Sequence, residues 1–338
     1  MSDVLLILPV FLLSVLLTGG VRAYALRTQM LAVPNARSSH AQATPVGGGL
    51  ALVLAYAAAL CLLILQGRLP LPESLALATS LPVALIGFVD DRRELGYRVR
   101  LAVQAAVVLI ALLLLGRVPA LPIGSVVLGS VLLTFLLAPL SLLWLTNLYN
   151  FMDGIDGLAG SETAFVSLAA AGMLLAAGDR ALALPCLFLF AGSVGFLVWN
   201  WPTARIFMGD VGSGFVGMSL GLIALLSHYH GSMSLWSWFL LLAVFVVDAT
   251  VTLLRRTLRG QRWSQAHRQH AYQHMAVGQN GHKNVSLGVL GLNLLYLLPL
   301  AIAAGKHPEY GVYFGVLGVI PLVLLALYSG AGREAGRR

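Results

Sequence analysis

Charged residues are scarce in this sequence. Only 10% of the 338 residues are Asp, Glu, Lys or Arg, whereas 59% are hydrophobic and the mean hydropathy is +0.87. Because a soluble domain carries about 25% charged residues, this composition excludes an ordinary soluble domain and indicates a polytopic membrane protein. Cysteine is scarce too. Cys61 and Cys186 fall in apolar runs, which predicts two small buried hydrophobic residues rather than a disulfide or a metal pair.

Acidic residues are fewer than basic ones, 13 against 21, so the net charge is +8. Membrane topology explains this excess better than nucleic-acid binding does, and no nucleic-acid partner is expected. A membrane-spanning helix needs about 20 mostly apolar residues. The first run contains Pro9 and fits a membrane helix better than a cleaved signal peptide. Eleven segments meet the length criterion, some loosely: 3–22, 47–66, 74–89, 99–115, 124–146, 160–177, 181–199, 211–228, 235–254, 285–304 and 312–329.

The basic residues assign the sides of the membrane. If the loops alternate between sides, all Lys and Arg except Arg68, Arg117, Arg180 and Lys306 fall on one side, helix ends included. The positive-inside rule makes that side cytoplasmic. The prediction is an all-α bundle of about eleven spans in a single membrane-embedded domain, 1–338, with a periplasmic N-terminus and a cytoplasmic C-terminus. Its cytoplasmic loops are 23–46, 90–98, 147–159, 200–210 and 255–284.

The polar residues that could do chemistry fall on the same predicted side. A transporter usually concentrates such groups near the bilayer midplane. A one-sided distribution favours an enzyme that meets a soluble substrate and a membrane-borne one. The residues are Asp90, Asp91, Asn147, Asn150, Asp153, Asp156, Asn200, Asp210, His267, His270 and His274.

The densest polar segment runs from residue 147 to residue 159 and reads Asn-Leu-Tyr-Asn-Phe-Met-Asp-Gly-Ile-Asp-Gly-Leu-Ala. An Asp at the centre of a membrane helix costs roughly 2.5–3.5 kcal/mol, so this segment should lie at the membrane boundary or face a cavity. A glycine-rich turn with helix-capping Asp residues is the alternative. A turn with capping residues alone does not explain why so many amides and acids occur together in this segment.

Two further acidic motifs end or begin an apolar segment. Asp90 and Asp91 follow the third segment, and adjacent carboxylates suit metal binding or proton abstraction. A solvated helix end is the alternative. Asp210, flanked by Gly209 and Gly212, directly precedes a predicted helix, whose exposed N–H groups suit phosphate. An N-cap in a flexible loop is the alternative there.

The basic motifs lie in the first and last cytoplasmic loops. Arg37 and His40 could donate to a phosphate, and the glycines at 47–49 could let the second helix pack closely. His267, His270 and His274 would share one face of a helix. A polar interaction surface, a metal pair and contact with anionic lipid headgroups are open alternatives. We favour a cationic wall for a diphosphate, formed with Arg255, Arg256, Arg259, Arg262 and Arg268.

One acidic residue lies apart from these motifs. Asp248 lies within an apolar segment, where an ion pair or a helix–helix hydrogen bond is expected. Acidic groups with a hard divalent cation, together with basic groups, are what phosphoryl chemistry requires.

Five of these motifs occur together in one known group of enzymes. They are 44–49 (Thr-Pro-Val-Gly-Gly-Gly), 90–91 (Asp-Asp), 150–159 (Asn-Phe-Met-Asp-Gly-Ile-Asp-Gly-Leu-Ala), 207–213 (Phe-Met-Gly-Asp-Val-Gly-Ser) and the His-rich loop 267–274. The chain thus resembles the polyprenyl-phosphate N-acetylhexosamine-1-phosphate transferases of glycosyltransferase family 4, the superfamily of MraY and WecA. The 34–40 segment resembles most the WbpL-like members, which initiate O-antigen or similar surface glycans.

The resemblance implies a reaction at the cytoplasmic face of the bacterial inner membrane. Undecaprenyl phosphate attacks a UDP-N-acetylhexosamine and yields undecaprenyl-diphosphate-sugar and UMP, with Mg²⁺ or Mn²⁺ as cofactor. Asp210 is implied as the main metal ligand, with Asp153 as a second. Asp90 and Asp91 are implied at the reacting phosphates, with Asp90 deprotonating or orienting the acceptor. Membrane lipid surrounds the enzyme, and a homodimer is common in the family.

The resemblance also assigns the remaining site residues. Asn150, Asp153, Asp156, Gly157 and Leu158 would line the nucleotide pocket, with Asn147 beside them. Asn200 would lie near the uracil. The diphosphate or sugar would be held by His267, His270 and Arg268, with Arg37 and His40 as further phosphate contacts.

Some features depart from the peptidoglycan enzyme of the family. The first loop has His40 and Gln42 where that enzyme has a Lys before Thr-Pro, and the last loop lacks adjacent histidines. Both differences favour a simple UDP-sugar over a muramoyl-pentapeptide donor. The rival hypotheses are an Mg²⁺-dependent membrane prenyltransferase of the UbiA type and a lipid or solute transporter. The sugar itself, N-acetylglucosamine or a relative that differs at one hydroxyl, depends on pocket details.

Overall fold

The computed structural model describes residues 4–34, 42–115, 121–123, 126–128, 131–261, 267–277 and 281–334, and most of them are helical. The helices are α1 Val4–Arg27, α2 Gly49–Leu65, α3 Leu71–Ala78, α4 Ser80–Arg93, α5 Tyr97–Leu115, α6 Val131–Met152, α7 Leu158–Ala176, α8 Arg180–Asn200, α9 Asp210–Tyr229, α10 Leu235–Leu241, α11 Ala243–Leu258, α12 Ala271–Val277, α13 Gly281–Leu292, α14 Leu298–Lys306 and α15 Gly311–Tyr328. A π-helical turn, Asn293–Leu297, joins α13 to α14, and a 3₁₀ turn, Pro308–Tyr310, precedes α15. The strands are β1 Leu31–Ala32, β2 Thr44–Pro45, β3 Leu121–Ile123 and β4 Val126–Leu128, in two antiparallel pairs.

The polytopic helical architecture is confirmed. In the described part of the chain, nine helical segments are long and apolar enough to cross a membrane. The pair α10 and α11, bent by 75°, makes a tenth candidate, and α2 is an apolar helix of 17 residues. Each of the eleven predicted segments overlaps one of these helices. The number of spans and their sidedness stay predictions.

Two helices extend further than the predicted loops allowed. Helix α6 continues to Met152, so Asn147 and Asn150 lie on its last turns and not in a loop. Helix α4 continues to Arg93 and carries Asp90 and Asp91. Polar side chains do not end a helix by themselves. The first residue after α6 that strongly disfavours helix is Gly154, and α4 ends where Glu94 takes a left-handed conformation.

The cysteine prediction is half correct. Both thiols are free, and Cys186 is buried as expected. Cys61, however, is exposed on α2. In a membrane protein an apolar run can face lipid instead of the protein core, because hydrocarbon accepts the same side chains.

Helix α9 lies at the centre of the bundle, and every residue from Val211 to Ser227 is buried. Its neighbours include α2, α4, α6 and α8. A Cβ atom on Gly49 would lie 2.4 Å from the Cα atom of Gly212, so the predicted close packing of the second helix is confirmed. The backbone of 44–49 also pairs with the segment before α9, through Phe207 N to Pro45 O (2.8 Å). These contacts bring two sequence motifs to the start of α9.

Candidate active site

One guanidinium joins two of the predicted acids. Arg100 Nη1, in the first turn of α5, lies 2.6 Å from Asp90 Oδ2 and 2.5 Å from Asp210 Oδ2. The other oxygen of Asp90 accepts a hydrogen bond from the Leu95 backbone. These two contacts therefore bring the C-terminal end of α4 close to the N-terminal ends of α5 and α9.

Asp91 caps helix α9 from another helix. Its Oδ1 accepts from Asp210 N (2.9 Å) and its Oδ2 from Val211 N (3.1 Å). A carboxylate there satisfies N–H groups that have no partner within the helix and faces the positive end of the helix dipole. The alternative of Asp210 as its own N-cap is wrong, because Asp210 is the first helical residue and Asp91 supplies the cap. The predicted catalytic role of Asp91 stays a prediction beside this positioning contact.

Asp153 lies in the segment between α6 and α7 and adds a further carboxylate to this cluster. Loss of hydration raises the pKa of Asp153 well above its usual range, and the negative charges of Asp210 and Asp91 raise it further. A hydrogen bond from the backbone of Gly209 opposes this shift. A carboxyl group in such surroundings is stabilised either by a proton or by a cation between the acids.

Asp156 and Asn200 fasten the same segment to its surroundings. Asp156 Oδ2 accepts from Ala204 N (3.0 Å), and its Oδ1 lies 3.2 Å from His282 Nδ1 of α13. Asn200 Oδ1 accepts from Gly157 N (3.0 Å). These predicted site residues thus hold segment 153–157 between the 201–206 loop and α13.

Leu158 does not fit its predicted place in the nucleotide pocket. It begins α7 and its side chain is fully buried in the hydrophobic core. The physical reason is helical geometry, since the first turn of α7 turns this position toward the bundle. Its side chain is therefore not available to a ligand, and the prediction of a substrate contact there is wrong.

The predicted hydrogen-bonding role of Asp248 is confirmed. It accepts from the backbone N–H groups of Ala271 (2.9 Å) and Tyr272 (3.0 Å), and His270 Nδ1 lies 3.4 Å away. Asp248 of α11 therefore caps α12. His267 and His270 precede that helix, so the predicted arrangement of three histidines on one helical face is wrong.

His267 and His270 nevertheless lie together, with stacked rings whose centroids are 4.9 Å apart. Burial lowers the pKa of His267 to about 3, and the neighbouring His270 and Arg256 lower it as well. His267 is therefore neutral at physiological pH. It can accept or donate a hydrogen bond but supplies no positive charge.

The predicted cationic wall is not formed as expected. Arg255 Nη1 donates to Ala331 O and Arg259 Nη1 donates to Gly332 O, both at 2.6 Å. These two side chains bind carbonyl groups after α15, because those groups have no partner in the helix. Arg268 stays a predicted ligand contact. Arg37, His40 and Arg262 lie outside the described residues.

Tyr272 docks α12 on the central segment. Its hydroxyl donates a hydrogen bond to Phe151 O (2.9 Å) and lies directly against Gly154. A Cβ atom on Gly154 would lie 2.1 Å from that hydroxyl. Gly154 is thus required for the histidine loop to approach the acids.

Two cavities meet at Asp210. The larger, of about 760 Å³, is bounded by apolar side chains of α5 and α6 and reaches Arg100, Asn147 and both histidines. The smaller, of about 310 Å³, is polar and is lined by Asp91, Asp153, Asp156, Asn200, Phe207 and His282, among others. The residues common to both are Asn150, Gly154, Asp210 and Gln273. The arrangement can bring an apolar chain with an anionic end against a polar ligand.

The donor groups fit a hard divalent cation with few protein ligands. The candidate ligands are carboxylate oxygens, which Mg²⁺ prefers, and Mg²⁺ commonly keeps waters beside one or two carboxylates. Among the described residues no three His, Cys, Asp or Glu side chains form a metal site by themselves. The crowded charges of Asp91, Asp153 and Asp210 favour a cation between them.

Sequence reasoning missed Arg100, Tyr272, Gln273 and His282 as site residues. Arg100 was only one of the basic residues that set the topology. Its signal was a lone positive charge at the start of an apolar segment, ten residues after Asp90. His282 carried no local signal, since its partner Asp156 is 126 residues away.

Comparison with known proteins agrees with this arrangement. Residues 74–228 match the model of the family described as glycosyl transferase family 4. A decaprenyl-phosphate N-acetylglucosaminephosphotransferase of Mycolicibacterium smegmatis is 32% identical, over 85% of this chain and 77% of that protein. A probable undecaprenyl-phosphate N-acetylglucosaminyl 1-phosphate transferase of Bacillus subtilis is 28% identical (81% and 77%). A phospho-N-acetylmuramoyl-pentapeptide-transferase of Synechococcus elongatus is 32% identical (77% and 75%).

The fold and the similarities define a membrane-embedded transferase. The chain belongs to glycosyl transferase family 4, the superfamily of polyprenyl-phosphate N-acetylhexosamine-1-phosphate transferases. This family assignment is preferred over the two rival hypotheses from the sequence, a membrane prenyltransferase and a transporter.

Proposed function

We propose that this protein transfers a sugar-1-phosphate from a UDP-N-acetylhexosamine to undecaprenyl phosphate. An oxygen of the lipid phosphate attacks the β-phosphorus of the donor. The bond from that phosphorus to the bridging oxygen breaks, and UMP leaves with the electron pair. One observation carries the proposal: an apolar cavity and a polar cavity meet at Asp210.

The larger cavity suits the lipid acceptor. Leu101, Leu140 and Leu143 offer an apolar wall to the prenyl chain, and Arg100 offers a positive charge to its phosphate. A lipid phosphate is already anionic at neutral pH, so positioning and charge neutralisation can supply most of the rate. Asp90 enters this proposal through its ion pair with Arg100. Its action as a base on the acceptor stays a prediction.

The smaller cavity suits the nucleotide part of the donor. Phe207 offers an aromatic face to a base, while Asn150 and Gln273 offer amide groups between the two cavities. His267, which is neutral, and its neighbour His270 border the larger cavity, where both can hydrogen-bond the diphosphate or the sugar.

A divalent cation, Mg²⁺ or Mn²⁺, belongs to this proposal. Asp210 and Asp153 are the side chains that would hold it. When bound, the cation neutralises the negative charge of the donor diphosphate. This chain's own residues hold the two carboxylates in place: Asp91 fixes the start of α9, and Gly209 donates to Asp153.

The proposal also covers the donor sugar, the glycan that is made, the location of the protein and its oligomeric state. N-acetylglucosamine is the first donor to test, because two of the relatives above are named for it. The relatives named above are not named for O-antigen, so initiation of O-antigen or a similar surface glycan rests on the 34–40 sequence alone. We place the protein in the bacterial inner membrane with this site on the cytoplasmic face. A homodimer is an expectation from the family.

The test is UMP release by detergent-purified protein given undecaprenyl phosphate, Mg²⁺ and a panel of UDP-N-acetylhexosamines. We expect lipid- and metal-dependent UMP with one donor, and at least a hundredfold less from Asp210→Asn, since charge stabilisation of this kind contributes about 10²–10³ in rate. Glu309→Gln, an exposed position near the start of α15, is the matched control. UMP release by Asp210→Asn at the control rate would overturn the assignment of the site.

A further inference from the structure

An ionisable residue lies buried within the bundle, apart from the acid cluster. Glu162 is on α7 and is 1% exposed, and Asn293, which begins the π-helical turn, is fully buried. Asn293 Nδ2 lies 2.5 Å from Glu162 Oε2. The other two oxygens, Glu162 Oε1 and Asn293 Oδ1, are also buried, and neither has a hydrogen-bond partner among the described residues.

An ionised Glu162 would be costly in this position. A buried carboxylate needs a cation or several donors to offset its lost hydration. The described surroundings supply one amide and no salt-bridged basic group. Among the described residues, the hydroxyl of Tyr149 is a further buried titratable group near Glu162, and it carries no positive charge that could offset an ionised carboxylate.

We infer that Glu162 carries a proton at neutral pH and forms a ring of two hydrogen bonds with Asn293. In this ring Asn293 Nδ2–H donates to Glu162 Oε2, and the acid O–H at Oε1 donates to Asn293 Oδ1. Both oxygens that otherwise lack a partner are satisfied, and no net charge remains inside the membrane span. The ring clamps α7 to the span formed by α13 and α14. It also occupies a π-helical turn, an irregularity that is frequent at functional positions in helices.

The clamp joins the two helices that hold the central site segment. Helix α7 begins directly after Gly157, and α13 carries His282 and Ser286 at its start. His282 lies 3.2 Å from the Asp156 carboxylate, and Ser286 donates to Asp156 O (3.1 Å). Glu162 is therefore a positioning residue for Asp156. This second part rests on the proposed function, whereas the protonated pair does not.

The first measurement is infrared absorption of the purified protein at neutral pH. The carbonyl stretch of a protonated carboxylic acid lies above that of a carboxylate. We expect the wild type to show such a band that Glu162→Gln lacks, with the carboxylate bands unchanged. Loss of carboxylate absorption in Glu162→Gln, with no change in the acid band, would overturn the inference whether or not the transferase reaction is ever observed.

Thermal unfolding of matched variants supplies the second measurement. Glu162→Gln can form the same two-bond ring with Asn293, so its melting temperature should equal that of the wild type. Glu162→Leu and Asn293→Leu each leave a buried polar partner and should melt lower, whereas the double Leu variant should recover, because replacing both partners removes the unpaired group. A Glu162→Gln protein as unstable as Glu162→Leu would contradict the ring. For the site, the KM for the UDP-sugar should rise in each single Leu variant and stay unchanged in Glu162→Gln.

Discussion

Substitution of Gly154 by alanine should disrupt the site through one contact. The added Cβ would lie 2.1 Å from the hydroxyl of Tyr272, which a real Cβ cannot tolerate. Relief requires Tyr272 to withdraw and to lose its hydrogen bond to Phe151 O. Because that bond docks α12 on the central segment, the histidine loop should then move away from Asp153 and Asp210.

The magnitude follows from two terms. Overpacking costs about 1–3 kcal/mol, and the lost hydrogen bond costs about 0.5–1.5 kcal/mol. Together they give about 1.5–4.5 kcal/mol, or a loss of roughly tenfold to two-thousandfold in an equilibrium that requires the docked state. Tyr272→Phe alone loses only the hydrogen bond, about two- to tenfold. The double variant combines Gly154→Ala with Tyr272→Phe. Without the hydroxyl, the atoms nearest to the added Cβ are Gln273 Nε2 at 3.0 Å and the ring Cζ of residue 272 at 3.1 Å. A small shift of these side chains is enough to accommodate the Cβ.

The assay measures UMP release and melting temperature for both single variants and the double variant. Gly172→Ala, on α7, is the control, because no heavy atom lies within 4 Å of its added Cβ. We expect the double variant to be less impaired than Gly154→Ala and close to Tyr272→Phe. A double variant as impaired as Gly154→Ala, or more so, would refute the reasoning.

Two further predictions concern stability alone. Asp91→Ala removes the cap of α9 and should destabilise the protein by about 0.5–2 kcal/mol, which lowers the melting temperature measured without substrate. Asp91→Asn should keep part of the cap and melt between Asp91→Ala and the wild type. Equal melting temperatures for Asp91→Ala and the wild type would contradict this role of Asp91. At the other end of α9, burial opposes the charged form of His230, but its hydrogen bonds to Asp179 (2.9 Å) and Glu73 (3.2 Å) outweigh burial and raise its pKa. Its contribution to stability is therefore full below about pH 6.5 and is lost as the pH rises through the higher pKa of the folded protein. Melting curves across this range should fall more steeply for the wild type than for His230→Gln, and identical slopes would count against the ion pairs.

Much of the site could be predicted from sequence because its motifs are local. The acids, amides and glycines from 147 to 159 are unusual between two apolar segments, and Asp210 stands out at the start of α9 in the same way. The predictions that failed concern how the histidine and arginine segments around these motifs fold. The predicted helical face of three histidines was wrong because His267 and His270 precede α12, whose start is capped by Asp248. Two of the five arginines of the predicted cationic wall, Arg255 and Arg259, instead bind the chain after α15.

The sequence by itself determined that the chain is a bundle of membrane helices and which segments carry its chemistry, because apolar run length and motif spacing are properties of neighbouring residues. Only the tertiary structure decided which groups meet. Asp91 caps a helix 119 residues away, Arg100 reaches Asp210 across 110 residues, and Glu162 pairs with Asn293 across 131. Such contacts depend on which helix faces pack together, and in lipid that packing depends on close fit and polar pairing rather than on hydrophobicity. Periodicity along the chain does not record that choice of partner.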